Sequence, residues 1–155
     1  MRLLIDIYSK NPYPSGSLSN FAAHSFQLDG VQINSMKGFL KSLKVSPEQQ
    51  TKICLLDAKT AKEIGSAVCW QNNGGIFHWN GSYFSRFHSE YWQLLVRAYD
   101  ALADQNRDFA QALLDSGHSI LWHSIGKLRK RETCLTTWEF IRLLYRERRR
   151  VRHRR

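Results

Sequence analysis

The chain has 155 residues, 43% hydrophobic and 23% charged, the length and balance of one globular domain with a buried core rather than a disordered chain. The net charge is +10, but residues 142–155 hold eight arginines and one glutamate, which leaves only +3 for the other 141 residues. No apolar run approaches the ~20 residues needed to cross a bilayer, so a membrane-spanning role is excluded and the excess charge has to find water or an anionic partner.

In chain order, residues 2–8 alternate and contain β-branched Ile5 and Ile7, which predicts a strand. The same segment places Asp6 inside its apolar stretch and lacks a small-residue cleavage site, so it does not read as a signal peptide. Residues 11–17 are dense in turn formers. Ser25-Phe26-Gln27-Leu28 and Val31-Gln32-Ile33 flank Asp29-Gly30, the two-residue turn of a hairpin. A helix follows, capped by Asn34 or Ser35, with Met36, Phe39, Leu40 and Leu43 on one side and Lys37, Lys41 and Lys44 in a row on the other. Three ammonium groups in a row repel one another unless they face water or an anion such as a phosphate.

Ser46-Pro47-Glu48-Gln49 starts a second helix, running to about Leu56, and Asp57 caps a third from Ala58 to about Val68. Residues 69–88 are aromatic and rich in Gly and Asn, which predicts a long loop with short strand fragments. Ser89 to about Gln105 has the clearest helical period, through Trp92, Leu95, Tyr99 and Leu102. Arg107 to Asp115 is a further helix, stopped by Gly117, and residues 118–125 alternate as a strand or extended segment. Thr136-Thr137-Trp138-Glu139 is a capping box that opens the last helix. The fold class expected is α+β, predominantly helical, as a single domain over residues 1–141, with residues 142–155 as the helix end and a basic tail.

Generic catalytic motifs are absent: no Walker loop, GxGxxG, HExxH or GxSxG occurs. The six histidines lack paired metal spacing. Cys54, Cys69 and Cys134 are scattered and odd in number, as buried thiols in the reducing cytoplasm would be, so neither a metal nor another cofactor is expected. Two segments remain suggestive. Trp70, Phe77, Trp79, Tyr83, Phe84 and Phe87, interleaved with Asn72, Asn73, Asn80, Arg86 and Ser89, could stack a flat base and read its edge, or could simply pack into the core. Residues 116–124 with Glu132 and Thr133 offer hydroxyl, imidazole and carboxylate groups near a helix N-terminus, where a phosphate or ribose can bind. The arginines of the tail, Arg148, Arg149, Arg150 and Arg152, are candidates for phosphate contact with DNA or RNA, or else a solvated helix end.

Read in order, several segments resemble the NADAR superfamily, also called YbiA-like, over about Tyr8 to Leu144. Ser17-Leu18-Ser19-Asn20-Phe21 resembles its (F/L)SNF element, Phe26 to Gly30 its F-x-(L/F)-DG hairpin, and Ser35 to Lys44 its (S/T)-V-E-H-x-(F/Y)-Q-A-x-K helix. Ala58 to Gly65 resembles its AKxxG segment, and Asp115 to Leu121 its LLxTGxxxLx(E/H) segment. The resemblance implies a YbiA-like fold and an N-glycoside hydrolase acting on ADP-ribosyl or ribosyl-phosphate conjugates. Two substrate branches follow from it: ADP-ribosylated guanine in nucleic acid, reversed as an antitoxin or phage counter-defence would, and phosphoribosyl intermediates of riboflavin synthesis.

In this chain Lys37 stands where the family pattern has Glu, so either another carboxylate serves, with Glu132 and Asp29 available, or the chemistry of the site differs, or the chain binds without turnover. Lys44 matches the family's Lys and is the expected nucleophile, its amine made neutral by the neighbouring ammonium groups. The expected catalytic set is Lys44, Lys37 and Glu132. The expected substrate contacts are Asn20, Phe21, Trp79, Arg86, Ser89, Gly117, His123 and Thr133.

Overall fold

The computed structural model describes residues 2–154; Met1 and Arg155, the last residue of the basic segment, lie outside the described residues. In order along the chain are β1 (Leu4–Asp6), α1 (Ser15–Leu18), β2 (Phe26–Leu28), β3 (Val31–Ile33), α2 (Met36–Ser42), α3 (Pro47–Cys54) and α4 (Ala58–Ser66). A 3-10 turn (Trp70–Asn73) leads to β4 (Ile76–Trp79), β5 (Ser82–Ser85), α5 (Ser89–Gln105), α6 (Arg107–Asp115), β6 (Ile120–Trp122) and α7 (Thr137–His153). This is the α+β, mainly helical class that the sequence leads one to expect.

Local chemistry accounts for most boundaries. Asp29 and Gly30 both take positive φ, as do Asn80 and Gly81, so each pair closes a hairpin, β2–β3 and β4–β5, in the turn that matches strand twist. The second of these, with the 3-10 turn, is what residues 69–88 become in place of a long loop. Ser35 accepts from the Gly38 N–H, Asp57 from that of Thr60, and Thr136 and Glu139 form the full capping box. Ser46 stands at the N-cap of α3 without a side-chain cap bond, and there Pro47 in the first turn sets the start. No helix of the described residues is long and apolar enough to cross a membrane.

The core gathers around α5, whose buried face runs through Tyr91, Leu94, Leu95, Ala98, Tyr99 and Leu102; Trp92, expected on that stripe, is only partly buried. Helices α6 and α7 and strand β2 cover it. β1 pairs in parallel with β6, Ile5 opposite Leu121, a pairing more than a hundred residues apart that local patterning does not reveal. Gln50 braces three elements: its amide donates to the Ser42 and His78 carbonyls at 2.9 Å each and accepts from the Asn80 N–H at 3.0 Å.

The basic segment is not a free tail within the described residues. α7 continues to His153 with Leu144, Glu147, Arg148 and Val151 buried, so residues 142–153 belong to the packed domain.

Candidate functional site

Helix α2 buries Met36, Gly38, Phe39 and Leu40, and this turns Lys37, Lys41 and, just past the C-cap, Lys44 to the opposite side as one row. That row forms one wall of a cleft of about 650 Å³, a size suited to enclosing a small-molecule ligand. Helix α4 packs beside α2; the stem of Lys41 lies so close to Gly65 that a Cβ there would sit 2.7 Å from it. Burial of Ala58, Ala61 and Gly65 leaves Lys62 at the cleft edge. Lys10 from the β1–α1 loop and Lys127 from the segment before α7 add to them, so that among the described residues six lysines line one cavity and Glu132 is its single lining carboxylate.

The turn at residues 19–21 forms one end. The buried Tyr99 hydroxyl donates to Asn20 Oδ1 at 2.6 Å, and the Asn20 carbonyl accepts from the Lys37 N–H at 2.9 Å. This clamp fixes the start of α2 against the SNF turn and leaves the Asn20 amide group at the cleft wall. The Phe21 ring lies 5.0 Å from Lys37 Nζ and 5.3 Å from Lys62 Nζ, and its π face partly offsets their mutual repulsion. His123, which lines the same cleft, hydrogen-bonds through Nδ1 to the Ile7 carbonyl at 2.7 Å. A carbonyl only accepts, so Nδ1 carries the proton and Nε2 is the basic nitrogen of the neutral ring. Asp6 holds the adjacent turn by accepting from both the backbone N–H and the hydroxyl of Ser124, and those bonds keep its carboxyl below the usual range.

Electrostatics follow from this crowding. Burial brings the Lys37 ammonium down to about 8, with Lys41 and Lys62 adding to the effect. Burial likewise brings Lys44 to about 8, helped by Lys41 and Lys37. Near neutral pH both amines therefore exchange readily between the neutral and charged forms, and an anion entering the cleft meets several cations at once.

Of the residues expected at the site, Lys37, Lys44, Asn20, Phe21, His123, Glu132 and Thr133 come together in this cleft. Four others lie elsewhere. Trp79 is buried, donates to Asp29 Oδ2 at 2.8 Å and packs edge-on to Phe39. Arg86 is fully buried and forms a bidentate pair with Glu139 at 2.7 and 3.1 Å, while its Nε holds the Thr133 carbonyl at 2.9 Å. It supports the cleft wall without touching the cavity. Ser89 lies on a separate groove, and Gly117 ends α6 with φ +57. Asp29, the other carboxylate available from sequence, is held by Trp79 and Arg97 away from the cleft, which leaves Glu132.

The arginines of α7 are also largely engaged within the molecule. Arg148 is buried and donates to Ser116 Oγ at 3.0 Å. Arg150 pairs with Glu147, Asp100 and Asp104, and Arg152 holds the Gly117 carbonyl. Arg149 is exposed. Burial, together with a hydrogen bond that the protonated carboxyl donates to the Asp100 carboxylate, pushes Glu147 up to about 8.

Sequence reasoning did not place Lys10, Lys62 or Lys127 at the site. Lys62 had a readable signal, since it adjoins Ala61 on the buried Ala58/Ala61/Gly65 stripe. Lys10 and Lys127 arrive by loop geometry alone.

A family profile described as Bacteriophage protein GP30.3 matches residues 12–149. A protein of Enterobacteria phage T4, described as an uncharacterized 17.1 kDa protein in the Gp30-rIII intergenic region, is 38% identical over 142 residues, which span 90% of this chain and 93% of that protein. Among solved structures, the NMR structure of the E. coli protein YbiA superposes with a TM-score of 0.66 at 16% identity, covering 99% of this chain and 88% of YbiA.

Proposed function

We infer, for a chain that belongs to the Bacteriophage protein GP30.3 family and has the fold of YbiA, that the lysine-lined cleft binds an ADP-ribosyl conjugate and hydrolyses its N-glycosidic bond. One observation supports this above the rest: six lysines converge on a cavity with a single carboxylate, and two of their ammonium groups are brought to about 8. The charged lysines hold the pyrophosphate, and Lys44 in its neutral form supplies the nucleophile.

The ribose ring opens as its ring oxygen takes a proton, leaving C1 doubly bonded to the nitrogen of the base. The Lys44 Nζ lone pair forms a bond to C1, the C1–base bond breaks, and the base departs with a proton given up by Nζ. Water adds to the resulting Lys44 imine and expels the amine, which releases C1 as the free sugar. His123 Nε2 is the basic nitrogen lining the cleft that can take the proton from that water, and Glu132 is the lining carboxylate.

Of the two substrate branches, ADP-ribosylated nucleic acid is favoured over a free phosphoribosyl intermediate of riboflavin synthesis. Positive charge continues outside the cleft at exposed Lys130, Arg131, Arg142 and Arg149, which a small metabolite would not reach. Removal of ADP-ribose from phage nucleic acid also suits a protein of a phage family.

Borohydride trapping tests the chemistry. With an ADP-ribosyl nucleoside as probe, the expected result is a reduced adduct on Lys44 that is absent in Lys44→Ala; full hydrolysis by Lys44→Ala would refute it. A second reading, a non-catalytic binder of the same nucleotides, is favoured by Lys37 standing where NADAR-like sequences have Glu. If Lys37→Glu gains hydrolysis over the unaltered chain, the binder reading holds; if it loses hydrolysis, Lys37 is a working part of the site.

A further inference from the structure

Beside the lysine cleft runs a second, shallower groove of about 320 Å³. The two share a wall, the segment at residues 127–136. Lys127, Glu132 and Thr133 of this segment line the cleft, and Leu128, Lys130 and Thr136 line the groove. The floor is the buried Arg86–Glu139 pair, in which the carboxylate is already neutralised by a bidentate guanidinium. The free charge of the groove is therefore positive, from Lys130 and Arg142.

Its aromatic content has an unusual exposure. Trp138 is 59% exposed and Phe87 46%, yet neither side of the groove is loosely built. Trp138 is fixed edge-on against Trp122 at 4.8 Å between ring centroids, in the first turn of a helix anchored by its capping box. Trp92 carries the Arg142 guanidinium over its face at 4.6 Å, forming a flat platform that is both π-faced and cationic. Flat exposed rings interleaved with cations suit one class of polymer. Bases stack on the rings while phosphates meet the cations, and both contacts are open together only when the bases are unpaired.

We propose that the Phe87–Trp92–Trp138 groove is a docking site for single-stranded nucleic acid, and that a strand lying in it presents a base-linked group across the 127–136 wall to the lysine cleft. The presentation rests on the proposed function; the docking itself does not. The proposal moves nucleic-acid contact away from Arg148, Arg150 and Arg152, whose partners lie within the molecule, to a surface that also offers stacking.

The test is fluorescence anisotropy with a short labelled oligothymidylate bearing no modification, so binding is read without turnover. Failure of the hydrolase reading would leave this measurement intact, and the reverse also holds. Trp138→Ala is expected to weaken binding about tenfold. Arg142→Gln, at an exposed position, is expected to weaken it and to lower the slope of log affinity against log salt by about one. Duplex DNA of the same length should bind more weakly than the single strand. Thermal melting verifies that each variant is folded, and Arg142→Gln carries the test alone if Trp138→Ala does not fold. Unchanged affinity in the folded variants, equal affinity for duplex, or tighter binding of an acidic, apolar peptide at the same groove would overturn the proposal.

Discussion

Lys37 and Lys44 are each partly buried with other ammonium groups at hand, and both sit near 8. This predicts the pH dependence of adduct formation. Below about 8 the Lys44 amine is mainly protonated and unreactive, and above it the neutral nucleophile predominates, so the trapping rate rises through that pH. Capture of the anionic substrate has the opposite slope, because it needs the ammonium forms. The kcat/KM profile is thus expected to be a bell centred near 8, and a profile that is flat from neutral to alkaline pH would contradict it.

Arg86 makes the contrasting case. Its position in an aromatic, polar stretch resembles a ligand contact, yet its guanidinium is fully buried against Glu139, 53 residues away. Arg86→Ala strands a buried carboxylate and is expected to cost about 3–5 kcal/mol in chemical denaturation. A variant of unaltered stability but with weakened nucleotide binding would show that the pair is not structural. Lys37 and Lys44 were legible as one helical row; that Arg86 and Trp79 turn inward, away from the lysine cleft, was not, because no local pattern marks it.

At the level of elements, the site depends on how closely α2 and α4 approach. Gly65 allows this because its missing Cβ is replaced by the stem of Lys41. In Gly65→Ala the methyl group meets both Lys41 Cβ and Cδ under 3.0 Å, so the helices separate or Lys41 swings out. The expected cost is about 1–3 kcal/mol, accompanied by weaker pyrophosphate binding in calorimetry; unchanged stability and binding would mean that this crossing does not set the lysine row. Helices and the β2–β3 hairpin could be read from the sequence because their signals are local: the Asp29-Gly30 turn, the Asp57 cap and the Thr136–Glu139 box. The β4–β5 hairpin reads there only as a loop with strand fragments. The β1–β6 pairing, the Gln50 brace and the inward turn of Arg148 depend on distant partners and left no local trace.

For the whole molecule, burying the ammonium groups of Lys37 and Lys44 beside other lysines opposes folding. In the folded chain Lys37 and Lys44 release protons near 8 rather than 10.5. Between those values the unfolded chain holds more protons, so their contribution to stability improves as pH rises through that window. A bound pyrophosphate reverses the bias by favouring the ammonium forms. ADP-ribose is therefore expected to raise the melting temperature more at pH 7 than at pH 10, and an equal shift at both would argue against binding by these lysines.

The most direct measurement is mass spectrometry of the products after incubating the protein with an oligonucleotide carrying ADP-ribosylated guanine. The expected result is the unmodified oligonucleotide plus free ADP-ribose, with both lost in Lys44→Ala. Intact substrate after prolonged incubation, or product formed equally by Lys44→Ala, would contradict an N-glycoside hydrolase built on the lysine cleft.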